Sequence, residues 1–515
     1  MRNKIRYLFF CFFVFLFFPL IFSILYYMNN YNYNLKTMAG RKQALDAMAN
    51  SKTFNNKIVI IGYGAIGTAL LPLLFKIVCV NFNKVYVIDK NATRFVNLEN
   101  FINKGVNKLN IQLNRANIKK ILIDDIKLGQ DDLIIDCSYE INTNFMYNLC
   151  SEYGISYTNS AVEVWAQEPN FKDIDYTFYQ RIKSIEDQDK LIQNKKNNFI
   201  ISLGCNPGNV NIWTMYALEK INQITHKFEY ESYADLANKL GLRVVHISER
   251  DSHITNKPKK RNEYVNTWAS DAVSWYDEAF GPLEISWGTH EKTIPDNIDK
   301  NLSNEYQIVL DTQCYNTCAY SYTPVGKNLV GMIVRHEECY NICKKLTLKN
   351  DKNDPIYKPS CYYVYKPCDS AVASTYEVRD NLEVYQKSQR LMTSDIIEGN
   401  DELGCTLFFA NGDIYWIGSL LDIEEARFIY DNNYNHIINS TILQVVAGYI
   451  GAILYLIECI ENKKYSGLLN PEELPIKKFV KLTKPLLGSF RLIKVEDWTV
   501  NSNPDSMWQF GDFVF

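Results

Sequence analysis

The first residues in this chain with obvious chemical potential are glycines. Gly62, Gly64 and Gly67 stand in the spacing G-x-G-x-x-G at the end of the β-branched run Lys57-Ile-Val-Ile-Ile-Gly62. An apolar helical pattern follows through Leu70, Leu71, Leu74 and Ile77. In a dinucleotide cradle each glycine has its own role. Gly62 permits the tight turn, Gly64 lets backbone approach a pyrophosphate, and Gly67 lets helix pack closely on strand. The helix start, Ala65 and Ile66, offers free N–H groups and partial positive charge to phosphates. A second strand, Lys84-Val-Tyr-Val-Ile-Asp89, closes on an acid about 20 residues past Gly67, as the full fingerprint requires. Asp89 can accept hydrogen bonds from both ribose hydroxyls of NAD and would repel a 2′-phosphate. Lys90 and Arg94, just beyond it, keep NADP open as the alternative cofactor.

The elements that must position these residues alternate as strand and helix. Further buried-strand runs lie at Leu133–Asp136, Ile155–Thr158 and Phe199–Ser202, with a helix over Thr143–Tyr153, which predicts a Rossmann-type, doubly wound parallel α/β sheet. Beyond about Trp213 that rhythm stops. Aromatic and Thr-rich strands around Tyr320–Thr323, Met332–His336, Tyr362–Tyr365 and Cys405–Phe409 predict a second α+β domain on a largely antiparallel sheet. Residues 251–262 and 351–359 read as long polar loops. The helix expected over Ser440–Glu461 is apolar on more than one face and contains Gly448 and Gly451, which suits a buried core helix better than a membrane span. The predicted organisation is residues 1–37 as hydrophobic segment and linker, 38–205 as NAD-binding domain, and 206–515 as substrate-binding and dimerisation domain. The C-terminal helices are expected to pack back on the first domain.

With 55 basic and 58 acidic residues in 515, the net charge of −3 gives no footprint for a phosphate backbone, so nucleic acid is set aside. Apolar residues at 47% and charged residues at 22% exclude a disordered chain. The 13 cysteines are odd in number and scattered, which indicates free thiols in a reducing compartment rather than a disulfide scaffold. The pairs Cys314/Cys318 and Cys339/Cys343 have spacing that zinc could use, but no knuckle turn accompanies them, and no metal is expected. Leu8 to Tyr27 is an apolar run of roughly 20 residues, long enough to span a bilayer core as a helix. It reads as an uncleaved anchor of undecided orientation, because Arg2, Lys4 and Arg6 are nearly balanced by Lys36, Arg41 and Lys42. A translation start at Met38 would give a soluble cytoplasmic protein instead. The sequons at Asn91, Asn301 and Asn439 do not argue for secretion, since a glycan at Asn91 would obstruct the cofactor.

The second half carries a more specific signal. Asn206-Pro207-Gly208, His246–Asp251, Val265–Trp268, Ile285–Gly288, Tyr363–Pro367, Asp401–Gly404 and Tyr415–Ser419 follow in that order, after Ala161–Trp165 and the Gly62 fingerprint. Together they resemble bacterial-type homospermidine synthase, in the wider saccharopine dehydrogenase-like group, from about Lys57 to the C-terminus. The resemblance implies NAD-dependent aminobutyl transfer between two putrescines. One amine-bearing carbon loses a hydride to NAD⁺, ammonia leaves, a second putrescine condenses, and the hydride returns to the Schiff base to give homospermidine with no net redox change. It also implies a homodimer and a diamine substrate, with spermidine a further candidate.

Carried over position by position, the resemblance assigns catalytic roles to Glu249, Trp268, Glu278, His336 and Asp401. Glu140, Glu163 and Asn206, with Glu249, Trp268 and Glu278, are expected at the substrate. Ser138, Asn206 and Pro207 join Gly62, Gly64, Ala65, Ile66, Gly67 and Asp89 at the cofactor. These residue types suit such chemistry, because a desolvated ammonium needs a carboxylate or an aromatic face, and His336 is the natural proton-transfer candidate. Matching Glu278 requires a two-residue insertion after Trp268, which makes Asp277 a rival. Glu140 replaces a shorter Asp, and Lys366 replaces an expected His and brings a positive charge towards a polyamine site. Taken singly, Glu249 with Arg250 and Asp251 also reads as a surface ion-pair cluster, and His336 with Glu337 and Glu338 as a solvated strand end. The alternatives are a saccharopine- or carboxynorspermidine-type dehydrogenase, whose substrates would call for Arg or Lys clusters, and an inactive NAD-binding relative.

Overall fold

The computed structural model describes residues 33–515 apart from 140, 166–167, 169–170, 271–272, 382–387, 431–435 and 501–506. The apolar run at residues 8–27 and the site candidate Glu140 therefore lie outside the described residues. The first sheet takes strands β1 (Ile58–Ile61), β2 (Val85–Asp89), β3 (Asn107–Asn110), β4 (Leu133–Asp136), β5 (Ser156–Asn159) and β6 (Asn198–Ile200). All their pairings are parallel. Every residue of β1 and of β4 is buried, as a strand covered on both faces requires. Each of their Ile, Leu and Val side chains contributes about 1.5–3 kcal/mol by leaving water. Helices α1 (Ala65–Ile77), α2 (Thr143–Tyr153) and α3 (Phe178–Leu191) make the crossovers, and α4 (Asn209–Ile224) leads away from the sheet. The polar strand β3 has no apolar signature in sequence, and its residues alternate between half-buried and exposed at the sheet edge.

The second sheet is nine-stranded. In chain order it uses β7 (Leu242–Asp251), β8 (Pro282–Ser286), β9 (Gln307–Gln313), β10 (Cys318–Thr323), β11 (Lys327–Val334), β12 (Ser360–Lys366), β13 (Asn400–Phe409), β14 (Ile414–Asp422) and, near the C-terminus, Ser489–Val495. Its pairings are antiparallel except β12 on β7, which run parallel at the centre. Two helices on this half matter for the site: α5 (Val273–Phe280) and α6 (Glu337–Lys345). The loops expected at 251–262 and 351–359 each contain a short strand, Ile254–Thr255 paired to Ile396–Glu398 and Pro355–Tyr357 paired to Leu348–Lys349. Backbone pairing with distant or neighbouring segments ordered stretches whose polarity alone suggested coil.

The two sheets are joined by helix α7 (Ser440–Glu461) and strand β15 (Gly467–Leu469). Helix α7 is apolar and long enough to cross a membrane by composition, yet it is mostly buried. It packs on α1 and β5 of the first sheet and on β13 and β14 of the second. A side chain at Gly448 would land on the Gly204 carbonyl, so glycine there is what lets the helix approach the loop after β6. Asn439 caps the helix, accepting from the Ile442 N–H at 2.8 Å, and is fully buried. Strand β15 then pairs in parallel with β6, so the first sheet is completed by a segment far beyond residue 205.

Candidate active site

The glycine fingerprint folds as its spacing demands. Gly62 has φ +86, and a Cβ there would meet the Cys137 carbonyl oxygen at 2.7 Å. A Cβ on Gly67 would collide with the Gly62 carbonyl, which fixes close contact between α1 and β1. Gly64 differs from both: its nearest neighbours would be the side chains of Arg94 and Ser270 at 3.5 Å, leaving open space over the start of α1. That combination fits a pyrophosphate lying on the helix N-terminus, next to N–H groups carrying partial positive charge. Asp89 closes β2 with its carboxylate accepting from the Tyr63 N–H at 2.6 Å and the Asn91 N–H at 2.7 Å. Arg94 pairs with it at 3.2 Å, so one of the two cations that kept a 2′-phosphate open is already engaged by the acid, while Lys90 also lines the cleft.

These residues line one end of a cleft of about 740 Å3. Ser138, Glu163, Asn206, Pro207, Trp268, Glu278 and His336 line the rest of it, together with Gly62, Gly64, Ala65, Ile66 and Asp89 from the cofactor set. Gly67 serves beneath that surface, in the packing of helix on strand. Ser138 is held by Asp136, which accepts from its N–H at 2.9 Å and from its hydroxyl at 2.5 Å. Trp268 follows the short strand Tyr264–Asn266, where Asn266 Oδ1 accepts from the N–H groups of Trp268 and Ala269 at 3.0 and 2.8 Å. This Asx-type turn sets the indole against Trp275 and Tyr365, with ring centroids 5.0 and 5.9 Å away. The ring remains half-buried, with one part of its surface on the cleft.

Glu278, on α5, faces His336 across the cleft, with Oε1 4.0 Å from Nε2. Burial lifts the Glu278 carboxyl to about 7 although the His336 charge pulls the other way. His336 stands at the head of α6, and its Nδ1 lies 2.5 Å from Glu338 Oε2. Burial disfavours the imidazolium, but Glu338, Glu278 and Glu337 outweigh it and hold the imidazole at about 9. The solvated reading of this trio is corrected: Glu337 and Glu338 are 2% and 0% exposed. Glu337 accepts from the Val162 N–H at 2.5 Å and from the Ser202 hydroxyl, and burial lifts it to about 7. Sequence reading gave neither acid a role at the site. Their placement in the first turn of a helix, where negative charge is favoured, is the signal that was available.

The surface reading of Glu249 is corrected as well. On β7 the alternation of side chains sends Glu249 and Asp251 to one face and Arg250 to the other. Arg250 pairs with buried Glu402 at 2.9 Å, while Glu249 and Asp251 are each 3% exposed. Glu249 accepts from the Asn206 amide at 2.9 Å and the Tyr363 hydroxyl at 2.5 Å, and burial raises its pKa. Asp401, opposite Asp251 on β13, is wholly buried, and its Oδ1 finds no hydrogen-bond partner among the described residues. Burial and the neighbouring charges of Glu249 and Asp251 push it well above the ordinary carboxyl range. Neither Glu249 nor Asp401 lines the cleft; they form a deeper acidic layer that reaches it through Asn206. His253 also belongs to this layer, with Nδ1 2.7 Å from Asp251 Oδ1, and was not singled out in sequence although Asp-x-His on extended chain places both residues on one face.

The rivalry between Asp277 and Glu278 has a geometric answer. Asp277 lies 3.3 Å from Arg181 and 3.8 Å from Arg335, which hold its carboxyl below the ordinary range against the effect of burial. Only Glu278 of the two lines the cleft. Lys366 is exposed at the end of β12, so its charge is turned to solvent. The described cysteines are free thiols, and no group of three or more metal-ligating side chains gathers among the described residues.

The pattern described as the saccharopine dehydrogenase NADP binding domain matches residues 58–190. The chain is 28% identical over 457 residues to the homospermidine synthase of Blastochloris viridis, covering 86% of this chain and 91% of that one. It is 26% identical over 481 residues to the homospermidine synthase of Mesorhizobium japonicum, covering 88% and 94%. The crystal structure of the homospermidine synthase from Legionella pneumophila in complex with NAD superposes with a TM-score of 0.79 at 29% identity, covering 90% of this chain and 98% of that one.

Proposed function

We infer that this chain, a homologue of the homospermidine synthases over close to nine-tenths of its length, is an NAD-dependent homospermidine synthase that transfers an aminobutyl group between two putrescine molecules. One observation carries the reading. The cleft that holds the dinucleotide cradle ends in an indole face, two carboxylates and a histidine: Trp268, Glu163, Glu278 and His336. A substrate bearing carboxylates would meet repulsion there, whereas a diamine finds a partner for each ammonium. This favours the synthase over a saccharopine- or carboxynorspermidine-type dehydrogenase.

Bound NAD supplies a reversible hydride acceptor, so the amine-bearing carbon can be oxidised, exchange ammonia for a second amine, and be reduced again. The residues of this chain do the rest. Residues 38–205 provide the cradle, with Gly62, Gly64 and the N–H groups at Ala65 and Ile66 under the pyrophosphate, Asp89 at the ribose and Ser138 towards the nicotinamide, where Asn206-Pro207 from the second domain join it. Residues 206–515 provide most of the amine site. Glu249 and Asp401 form a deeper acidic layer behind Asn206, which bears on the ammonium of the reacting chain through that amide. Trp268 presents its ring to the cationic imine, worth about 2 kcal/mol or more when desolvated. Glu278 and His336, 4.0 Å apart, hold protons near neutrality and pass them to leaving ammonia and from the incoming amine. Glu163, joined in this reading by Glu140, receives the second diamine. Homodimerisation and membrane attachment through residues 8–27 complete the reading, with the catalytic part on the cytoplasmic side, where diamine and NAD are supplied.

The test is incubation of the protein with putrescine and NAD⁺, following homospermidine and ammonia by mass spectrometry and NADH by absorbance. Homospermidine without net NADH is the expected result. NADH accumulation would instead identify a dehydrogenase, and absence of diamine binding an inactive relative. Sedimentation and carbonate extraction of membranes, with and without residues 1–37, test the dimer and the anchor.

A further inference from the structure

Two buried guanidinium groups stand beside the acidic end of the cleft. Arg181 on α3 and Arg335 just after β11 both lie over the Phe178 ring, their guanidinium carbons 5.0 and 4.8 Å from its centroid. Their side chains are 5% and 4% exposed. Arg335 is held at close range: Nη2 lies 2.6 Å from Glu284 Oε1 and donates to the Tyr176 carbonyl at 2.9 Å, although its Nε, like that of Arg181, finds no hydrogen-bond partner among the described residues. Glu284 is itself fixed by the Phe178 N–H at 3.0 Å.

Arg181 is held more loosely. Its carboxylate partner among the described residues is Asp277 at 3.3 Å, and Nη1 reaches the Val162 carbonyl at 3.5 Å. Its Nε finds no hydrogen-bond partner among the described residues. Val162 directly precedes Glu163, and Arg181 and Glu163 line the same side cavity of about 460 Å3. The Arg181 charge already bears on the Glu163 carboxyl, opposing the upward push of burial. A guanidinium matches a carboxylate in shape as well as charge, so the two groups are a ready pair once Arg181 is free.

We propose that Asp277 is the counter-ion that keeps Arg181 from pairing with Glu163, so that Glu163 stays available to an ammonium group of the diamine. Asp277 is thus a positioning residue that acts through Arg181 and does not touch substrate. The inference rests on the synthase reading. If Asp277 is neutralised, the buried Arg181 charge has lost its partner, a costly state. Glu284 is already paired with Arg335, and of the acids lining the cavity of Arg181, Glu168 is paired with Arg115 and Asp175 accepts from the Lys172 N–H, which leaves Glu163. The new pair would then compete with substrate for one carboxylate.

The experiment is a rescue, read as the putrescine dissociation constant of the full chain loaded with NAD, by calorimetry, and as KM where turnover is measured. Asp277→Asn is expected to weaken putrescine binding roughly tenfold or more, the loss of one charge-assisted contact. NAD retention should be unchanged. Asp277→Asn combined with Arg181→Gln is expected to return binding to within about threefold of wild type, because the competing cation is gone. Asp277→Glu, which keeps the charge, should bind nearly as wild type. If Asp277 instead held the ammonium itself, removing Arg181 could restore nothing, and a double variant as weak as Asp277→Asn overturns the proposal. Should the single variant fail to fold, the double variant lacks both charges and decides the question from its own binding. A wild-type chain that binds putrescine but forms no homospermidine sinks the synthase and leaves the rescue readable; one that binds no diamine overturns both.

Discussion

The cofactor end and the amine end of the cleft are built on opposite plans. The cradle comes from one contiguous stretch, Ile58 to Asp89, in which a strand, a turn, a helix and a second strand need only local geometry to bring glycines and acid together. The amine end gathers Glu163, Asn206, Trp268, Glu278 and His336, with Glu249 and Asp401 in the layer behind them, from loops, strands and helices spread across both sheets. The cradle uses the absence of side chains; the amine end uses buried charge. Its clusters of acid are tolerated only because they alternate with His336, His253, Arg181 and Arg335, so each carboxylate is raised, paired or waiting for an ammonium.

The contrast predicts that the two ends fail differently. The largest effect belongs to the cradle: Gly67→Ala puts a Cβ onto the Gly62 carbonyl, and about 3 kcal/mol of overpacking should weaken NAD retention roughly 100-fold. Gel filtration followed by measurement of bound nucleotide checks this. Next, Trp268→Ala should lower kcat/KM for putrescine about 30-fold, from about 2 kcal/mol of lost cation–π contact, while bound NAD stays at wild-type level. A loss of NAD in that variant would erase the distinction between the ends.

The pH dependence comes third. Glu278 must be ionised to hold an ammonium, so kcat/KM should fall about tenfold per unit as pH drops below about 7. Loss of the His336 proton near about 9 sets the alkaline limb. Glu278→Gln should remove the acid limb. Stability carries the same signature with a definite sign. Glu278 and Glu337 bind protons more tightly in the folded chain than in the unfolded one, so their protonated forms stabilise the fold at low pH. That contribution is lost as pH rises from the ordinary carboxyl range through about 7. His336 adds stability below its ordinary value that disappears as pH rises through about 9. The melting temperature of the NAD-loaded protein should therefore fall from pH 6 to 9, and the rise on adding putrescine should grow over the same interval. A putrescine shift independent of pH would remove the buried acids from the binding site. The smallest effect is Lys366→Ala, expected within about twofold of wild type in kcat/KM, since an exposed terminal residue of β12 has its charge screened by solvent.

How much of this was legible follows the same division. The cradle could be read from spacing, and the parallel sheet from runs such as Ile58–Ile61, because strands buried on both faces need continuous apolar sequence. Helix α7 was legible as a core helix from its two glycines and its breadth of apolar faces, and Gly448 against Gly204 gives the reason. The short pairings at 254–255 and 355–357 were not, because a polar strand owes its order to its partner. Glu337 and Glu338 looked like solvated acids since the partners that accompany the burial of Glu337, Val162 and Ser202 in the loops after β5 and β6, do not show in their own segment.

Residue types and spacing alone therefore determined the dinucleotide cradle and the change from a parallel to a largely antiparallel sheet, since each depends on local stereochemistry, whereas the acidic and aromatic residues at the other end of the cleft were reached only through the family resemblance. Tertiary structure alone decided which acid faces the cleft: Asp277 and Glu278 are neighbours in sequence, and their roles separate only because α5 turns one towards Arg181 and Arg335 and the other towards His336. It also decided the charge state of those acids, because burial and the distance to an opposite charge are properties of the fold and are not written in any residue taken by itself.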